Sequence, residues 1–134
     1  TSIEAVTQKA NNGDVILQRR LGFIYFVGVK QIQKDSKAAA KWFQLAADNG
    51  DAIAQNQLGW ILGVGSGLEK DIQKKVFYYK KSAEQGFDIA QFNLGYLYYT
   101  GKGVKRDLVK AEYWFRRACV QGNQKACDKL KELN

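Results

Sequence analysis

The residues that could do chemistry in this sequence are few, and their spacing argues against an active site. The 134-residue chain contains no histidine, so the commonest general base and the commonest metal ligand are both missing. Cys119 therefore lacks the imidazole that usually activates a cysteine nucleophile. Asp35, Asp71 and Asp107 stand 36 residues apart, so they cannot converge as a carboxylate pair and are predicted to cap helices. We expect no enzymatic activity, no catalytic residue, no metal ion and no cofactor.

One short segment has the glycine spacing of a phosphate-binding loop. In Gly101-Lys102-Gly103, however, two glycines alone are a weak signal, and no predicted strand precedes them. The spacing returns at Gly65 and Gly67, which indicates a turn between helices instead.

Several landmarks recur along the chain with a period of 36 residues. An amide residue followed by glycine returns at this spacing, and so does a leucine followed by glycine. A fixed period of this length is the signature of a repeat protein. The recurring pairs are Asn49-Gly50, Gln85-Gly86 and Gln121-Gly122, together with Leu58-Gly59 and Leu94-Gly95.

Each repeat unit is predicted to contain two helices. In the first helix of the third unit, Ala90, Leu94, Gly95 and Tyr98 lie on one face at helical spacing. A mid-helix glycine costs about 1 kcal/mol relative to alanine, so its recurrence indicates that a neighbouring helix passes too close for a Cβ atom. The second helix is predicted to begin after an aspartate cap and to end at a glycine, which is Gly122 in this unit.

These elements predict an all-α fold, namely a right-handed α/α superhelix, or solenoid, of eight helices with little or no strand. Three helix-hairpin repeats would be flanked by a single capping helix at each end. Lys131 stands where earlier units have the close-packing glycine, which fits a terminal unit that has no further neighbour. The predicted boundaries are 1–12 for the N-terminal capping helix, 13–50, 51–86 and 87–122 for the three repeats, and 123–134 for the C-terminal capping helix.

The third unit carries a nearly complete family pattern. Its members are Ala90, Leu94, Gly95, Tyr98, Gly101, Gly103, Val104, Asp107, Lys110, Ala111, Trp114, Ala118 and Gly122. This pattern closely resembles the Sel1-like repeat, or SLR, a relative of the tetratricopeptide repeat. The second unit departs from it at Leu62 and Lys75, and the first has Lys30 and Gln31 near the position of the second loop glycine. The resemblance spans essentially the whole chain and implies a protein-binding scaffold or adaptor.

The two cysteines, Cys119 and Cys127, lie on either side of the predicted helix junction at Gly122. Two buried free thiols are one interpretation. A crosslink is the other, because Cys127 takes a position that holds glutamine in the three repeats. The family resemblance implies a disulfide, since secreted bacterial cysteine-rich SLR proteins bridge adjacent helices with pairs at this separation. A disulfide would favour a bacterial periplasmic or secreted location, with the cytoplasm as the alternative.

The candidate binding surface follows from the resemblance, because the first helix of each unit lines the concave side of such arrays. One register position there, occupied by Phe23, Trp60 and Tyr96, is aromatic in all three units. These rings either pack between helices or form a track for a bound segment. We predict that the surface binds a protein or peptide, with acidic partners among the candidates. Its residues are Arg19, Arg20, Phe23, Asn56, Trp60, Phe92, Asn93, Tyr96 and Tyr99.

The formal net charge of +8 is compatible with other kinds of partner as well. An inhibitor or immunity protein that neutralises a toxin or enzyme could use the same scaffold. Binding to nucleic acid or to an anionic surface is a weaker interpretation, because no helix-turn-helix, RNP or zinc signature is present. No apolar run approaches the roughly 18 residues of a membrane span.

Overall fold

The computed structural model describes residues 2–134, and it consists of eight α-helices. These are α1 Ile3–Asn11, α2 Val15–Val27, α3 Ser36–Asp48, α4 Ala52–Val64, α5 Ile72–Glu84, α6 Asp88–Thr100, α7 Leu108–Val120 and α8 Gln124–Leu133. Each helix packs mainly against its neighbours in the chain, and the pairs α2–α3, α4–α5 and α6–α7 make the most extensive contacts. The predicted all-α solenoid of three helix pairs between single terminal helices is confirmed. Thr1, which falls within the predicted N-terminal cap, lies outside the described residues.

The second helices of the three pairs have identical caps. Asp35, Asp71 and Asp107 each accept a hydrogen bond from the backbone N–H three residues later, at 3.0 to 3.1 Å. At the other end, the glycine of each amide–glycine pair has a positive φ, 93° at Gly50 and 97° at Gly122. The aspartates are therefore capping residues, as the sequence predicts.

The recurring mid-helix glycine lies directly against an aromatic ring of the second helix. A Cβ atom built on Gly59 would stand 2.6 Å from ring carbons of Tyr79, and one on Gly95 would stand 2.8 Å from a ring carbon of Phe115. Gly22 faces Phe43 in the same way. The predicted close approach is confirmed, and its cause is a buried ring that occupies the volume of the absent side chain.

A buried glutamine crosses each junction between the repeat units. Gln55 donates from Nε2 to the carbonyl oxygen of Ala47 at 3.1 Å, which links α4 to the preceding helix α3. Its Oε1 accepts a hydrogen bond of 2.8 Å from Gln85, the residue that follows α5, and Gln85 also donates to the Gly50 carbonyl oxygen. At the preceding junction, Gln18 donates to the Ala10 carbonyl oxygen and accepts from Asn49. At the following junction, Gln91 donates to the Ala83 carbonyl oxygen and accepts from Gln121, which also donates to the Gly86 carbonyl oxygen.

A disulfide takes the place of this hydrogen bond at the last junction. Cys127 of α8 holds the register position of the buried glutamines and is bonded to Cys119 of α7, with the two Cα atoms 4.7 Å apart. The crosslink is confirmed, and the position that reads as polar in the sequence is buried where it holds Gln18, Gln55 and Gln91.

The loop of the first repeat differs from the other two. Gly67 and Gly103 lie against the first turns of α3 and α5, which leaves no room for a Cβ atom. The loop between α2 and α3 has no second glycine, and it forms an isolated bridge in which Val29 and Ile32 exchange two backbone hydrogen bonds of 2.9 Å.

Because Gly59 of α4 packs on a buried ring and Gly63 does not, replacing each by alanine should change the stability of the protein by different amounts. In Gly59→Ala the new methyl group meets the buried Tyr79 ring, whereas in Gly63→Ala it meets only the end of the flexible Lys75 side chain. Helix propensity changes in the same direction in both variants. We expect Gly59→Ala to be less stable than Gly63→Ala by about 1–3 kcal/mol in urea unfolding. Equal stabilities would show that the ring does not set the helix spacing.

Since the other junctions are held by a buried glutamine, we expect that a glutamine at position 127 can replace part of the stability that the disulfide provides. The variant Cys119→Ala/Cys127→Ala removes the crosslink around a loop of roughly nine residues and should cost about 2.5 kcal/mol of stability. The variant Cys119→Ala/Cys127→Gln recreates the residues of the other junctions and should recover about 1 kcal/mol through the hydrogen bond. Chemical denaturation of the two variants and the wild type gives these differences. If the glutamine variant gains nothing over the alanine variant, the two junction types are not equivalent.

Candidate protein-binding surface

The helices α2, α4, α6 and α8 expose one continuous face. Phe26 of α2 meets Trp60 of α4 edge-on, with ring centroids 5.6 Å apart. Asn93 of α6 donates a hydrogen bond of 3.0 Å to the side chain of Asn56 on α4. The Lys129 ammonium of α8 lies 5.1 Å from the Tyr99 ring on α6. We call this surface the first-helix face, formed by Arg20, Phe26, Trp60, Asn93, Tyr96, Tyr99 and Lys129.

The predicted aromatic row divides between the core and the surface. Phe23 packs edge-on against the buried Phe43 ring, with centroids 4.8 Å apart, and belongs to the core. Trp60 and Tyr96, at the same register position on α4 and α6, keep 43% and 39% of their surface exposed. The packing interpretation therefore fits Phe23, while Trp60 and Tyr96 remain accessible to a partner.

Arg19 is already engaged within the protein. Its Nη1 donates to Asp51 Oδ1 at 2.9 Å, and the other carboxylate oxygen of Asp51 accepts from the backbone N–H of Ala54 to cap α4. Arg19 thus ties α2 to the start of α4. The neighbouring Arg20 is exposed and takes no part in the ion pairs found among residues 2–134. Of the two arginines, Arg20 is therefore the one that a ligand can reach.

The two asparagines of the predicted site bond to each other. Asn56 is buried, and its Oδ1 accepts the hydrogen bond from Asn93 Nδ2, so it connects α4 to α6 rather than facing a partner. Asn93 is half-buried and has one side at the surface. An amide at the edge of an exposed face can bond to the backbone of a bound segment.

Aromatic rings of α6 form a cluster at the first-helix face. Phe92 packs against the buried Phe115 ring, with centroids 5.6 Å apart. The Tyr96 ring is stacked on Phe92, with centroids 6.2 Å apart. Tyr99 lies 6.2 Å from Tyr96 and also touches Phe115. The core thereby fixes the position of the exposed Tyr96 ring.

Lys129 is a member of this face that the sequence analysis missed. Its ammonium lies over both Tyr99 and Tyr96, at 5.1 and 5.8 Å, and it forms an ion pair of 3.1 Å with Glu132. The hydrogen bond to Glu132 raises the pKa of Lys129. The signal was present in the sequence, because residue 129 follows Asn93 by one period of 36.

The second helices present a different surface. Phe77 of α5 and Tyr113 of α7 are exposed, and each has a basic side chain over its ring, Lys81 at 5.2 Å and Arg117 at 5.7 Å. Each of these pairs lies within one helix, and neither connects one repeat unit to the next. This surface provides exposed aromatic residues for comparison with the first-helix face.

Residues 2–134 contain no cluster of three or more histidine, cysteine or acidic side chains that could hold a metal ion. Among those same residues, no helix has both the length and the apolar character needed to cross a membrane.

The geometry defines a helical repeat scaffold with an exposed aromatic face. Three consecutive segments, residues 16–51, 52–87 and 88–123, match the family model of the Sel1 repeat. The chain belongs to the Sel1 repeat family, whose scaffolds generally serve as protein-interaction modules.

Solved structures agree with this assignment. A Sel1 repeat protein from Oxalobacter formigenes is 35% identical with a TM-score of 0.87, and the match covers 97% of both chains. A protective antigen present in uropathogenic Escherichia coli strains, described as displaying an SLR fold, is 38% identical with a TM-score of 0.87; the match covers 94% of this chain and 27% of that one. Cysteine-rich protein B of Helicobacter pylori is 26% identical with a TM-score of 0.73, and the match covers 96% and 98% of the two chains. No curated protein shows a significant match.

Proposed function

We propose that this protein is a non-catalytic interaction scaffold that binds a protein or peptide segment along the first-helix face. The observation that supports this most strongly is the pair of exposed rings, Trp60 and Tyr96, at one register position on neighbouring helices. Large aromatic side chains dominate the energetics of protein interfaces. Two of them at the same position in successive units form anchors for a segment that runs along the repeats.

These anchors are held in place before a partner arrives. Trp60 rests edge-on against Phe26, and Tyr96 is stacked on Phe92, which itself packs on the core. A ring that is already fixed loses little conformational entropy on binding, so more of the contact energy appears as affinity. Arg20, Asn93 and Lys129 provide donors nearby for the backbone or side chains of the bound segment.

Selection from a phage-displayed library of random 12-residue peptides tests this proposal. We expect the immobilised protein to enrich peptides whose affinity falls by about 30-fold in Trp60→Ala, the loss typical of an interface hot spot of at least ~2 kcal/mol. The matched control is Phe77→Ala, which removes an aromatic residue of similar exposure, 52% against 43%, from a second helix.

The comparison of the two variants decides the outcome. Peptides that bind equally well to wild type and Trp60→Ala, or that depend on Phe77 instead, would place the binding surface elsewhere. A library that yields no peptide would count against segment binding altogether. Circular dichroism of both variants checks that the helices are retained.

We also propose that the protein acts in an oxidising compartment, the periplasm or the exterior of a bacterial cell. The support is the disulfide between Cys119 and Cys127, since such bonds persist mainly outside the reducing cytosol. Protein purified from its source with alkylation at lysis should show no reactive thiol after denaturation without reductant. Two alkylated cysteines would instead place it in the cytoplasm.

A further inference from the structure

The second repeat breaks the aromatic pattern of the first-helix face at Gly63. The equivalent residues in the first and third units are Phe26 and Tyr99, whose rings pack against Phe43 and Phe115. Glycine supplies no ring at this position, so the face has a notch one helical turn from the exposed Trp60.

The side chain of Lys75 fills this notch from the second helix. A Cβ atom built on Gly63 would stand 2.9 Å from Lys75 Cδ and 3.0 Å from its Nζ, so the lysine stem and ammonium lie across the glycine. The equivalent residues in the other units, Ala39 and Ala111, are fully buried and have no side chain long enough to reach the face. Repeat 2 has therefore exchanged an aromatic–alanine pair for a glycine–lysine pair.

The Lys75 ammonium has no ion-pair partner within residues 2–134. It lies 5.7 Å from the centroid of the Tyr79 ring, and burial raises the pKa of Tyr79 to about 12, so this neighbour is a neutral ring. Its burial, with help from the nearby charges of Lys102 and Lys70, lowers the pKa of Lys75. The neighbouring charges that act on Lys75 are thus positive ones, those of Lys102 and Lys70.

We infer that the notch at Gly63 and Lys75 binds the carboxylate of an acidic residue in the polypeptide segment that lies on the first-helix face. This inference rests on the proposed function, because the same segment would contact Trp60. A half-buried ammonium forms stronger charge-assisted hydrogen bonds than an exposed one, since water competes less for it. The net charge of +8 adds general attraction for an acidic segment, and the notch selects where its carboxylate sits.

Parallel selections from the random 12-residue library test this inference. Wild-type protein should enrich peptides with Asp or Glu at one fixed distance from the residue that contacts Trp60. Lys75→Met removes the charge and keeps a flexible stem in the notch, and it should lose this enrichment. Lys74→Met is the matched control, because it removes the same charge from an exposed neighbour on α5 and should keep the enrichment.

A double-mutant cycle with one selected peptide measures the contact itself. Replacing the acidic residue of the peptide by its amide should weaken binding to wild type by about ten-fold, the size of a hydrogen bond to a charged group. The same replacement should have no effect on binding to Lys75→Met. The variant Gly63→Tyr/Lys75→Ala restores the residue types of the flanking units. It should also lose the preference for the acidic peptide while still binding through Trp60.

The results separate this inference from the proposed function. If peptides depend on Trp60 but show no acidic preference, or if Lys74→Met and Lys75→Met lose it equally, the inference is wrong and the scaffold proposal stands. If binding is indifferent to Trp60→Ala, the scaffold proposal fails as well. A twelve-nucleotide oligothymidylate whose binding requires Lys75 would overturn the inference in favour of a nucleic-acid phosphate.

Discussion

The structure depends above all on the close approach of a helix backbone to an aromatic ring. Gly22, Gly59 and Gly95 each sit where a Cβ atom would overlap the ring of Phe43, Tyr79 or Phe115. The helix spacing within each unit follows from this contact, because a larger residue would push the two helices apart. Since the same contact recurs in every unit, the units have the same shape and can stack in register.

Stacking of the units depends on a second interaction, a set of hydrogen bonds made by buried glutamines. The buried glutamines satisfy their own amide groups by bonding to a carbonyl of the preceding helix and to an amide of the following one. A buried polar group left unpaired is costly, so this arrangement favours one alignment of the units over any shifted one. At the junction of α7 and α8, the disulfide between Cys119 and Cys127 supplies the link instead. One register position thus serves the same purpose through two kinds of bond.

The period of the sequence was enough to predict the helices, the aspartate caps of the second helices and the packing order, because each of these depends on local residue types repeated at a fixed spacing. The candidate surface was less predictable, since burial depends on neighbours in other units. Phe23 and Trp60 share a register position, yet Phe23 packs on Phe43 while Trp60 remains exposed. Arg19 likewise looked available, but its partner is the second oxygen of Asp51, a residue whose role as a helix cap gives no sign of that ion pair.

The departures of the second repeat from its neighbours are best understood as a coupled pair. Lysine at position 75 would collide with an aromatic residue at position 63, because a Cβ atom built there already stands 2.9 Å from Lys75 Cδ. The two changes therefore fit each other, with the Lys75 ammonium 5.7 Å from the centroid of the Tyr79 ring. Together they leave the glycine contact, the glutamine bonds and the helix spacing untouched, and they replace a ring by an ammonium at one point of the face. A repeat scaffold can acquire specificity in this way, since the residues that hold the stack together are separate from those that a partner meets.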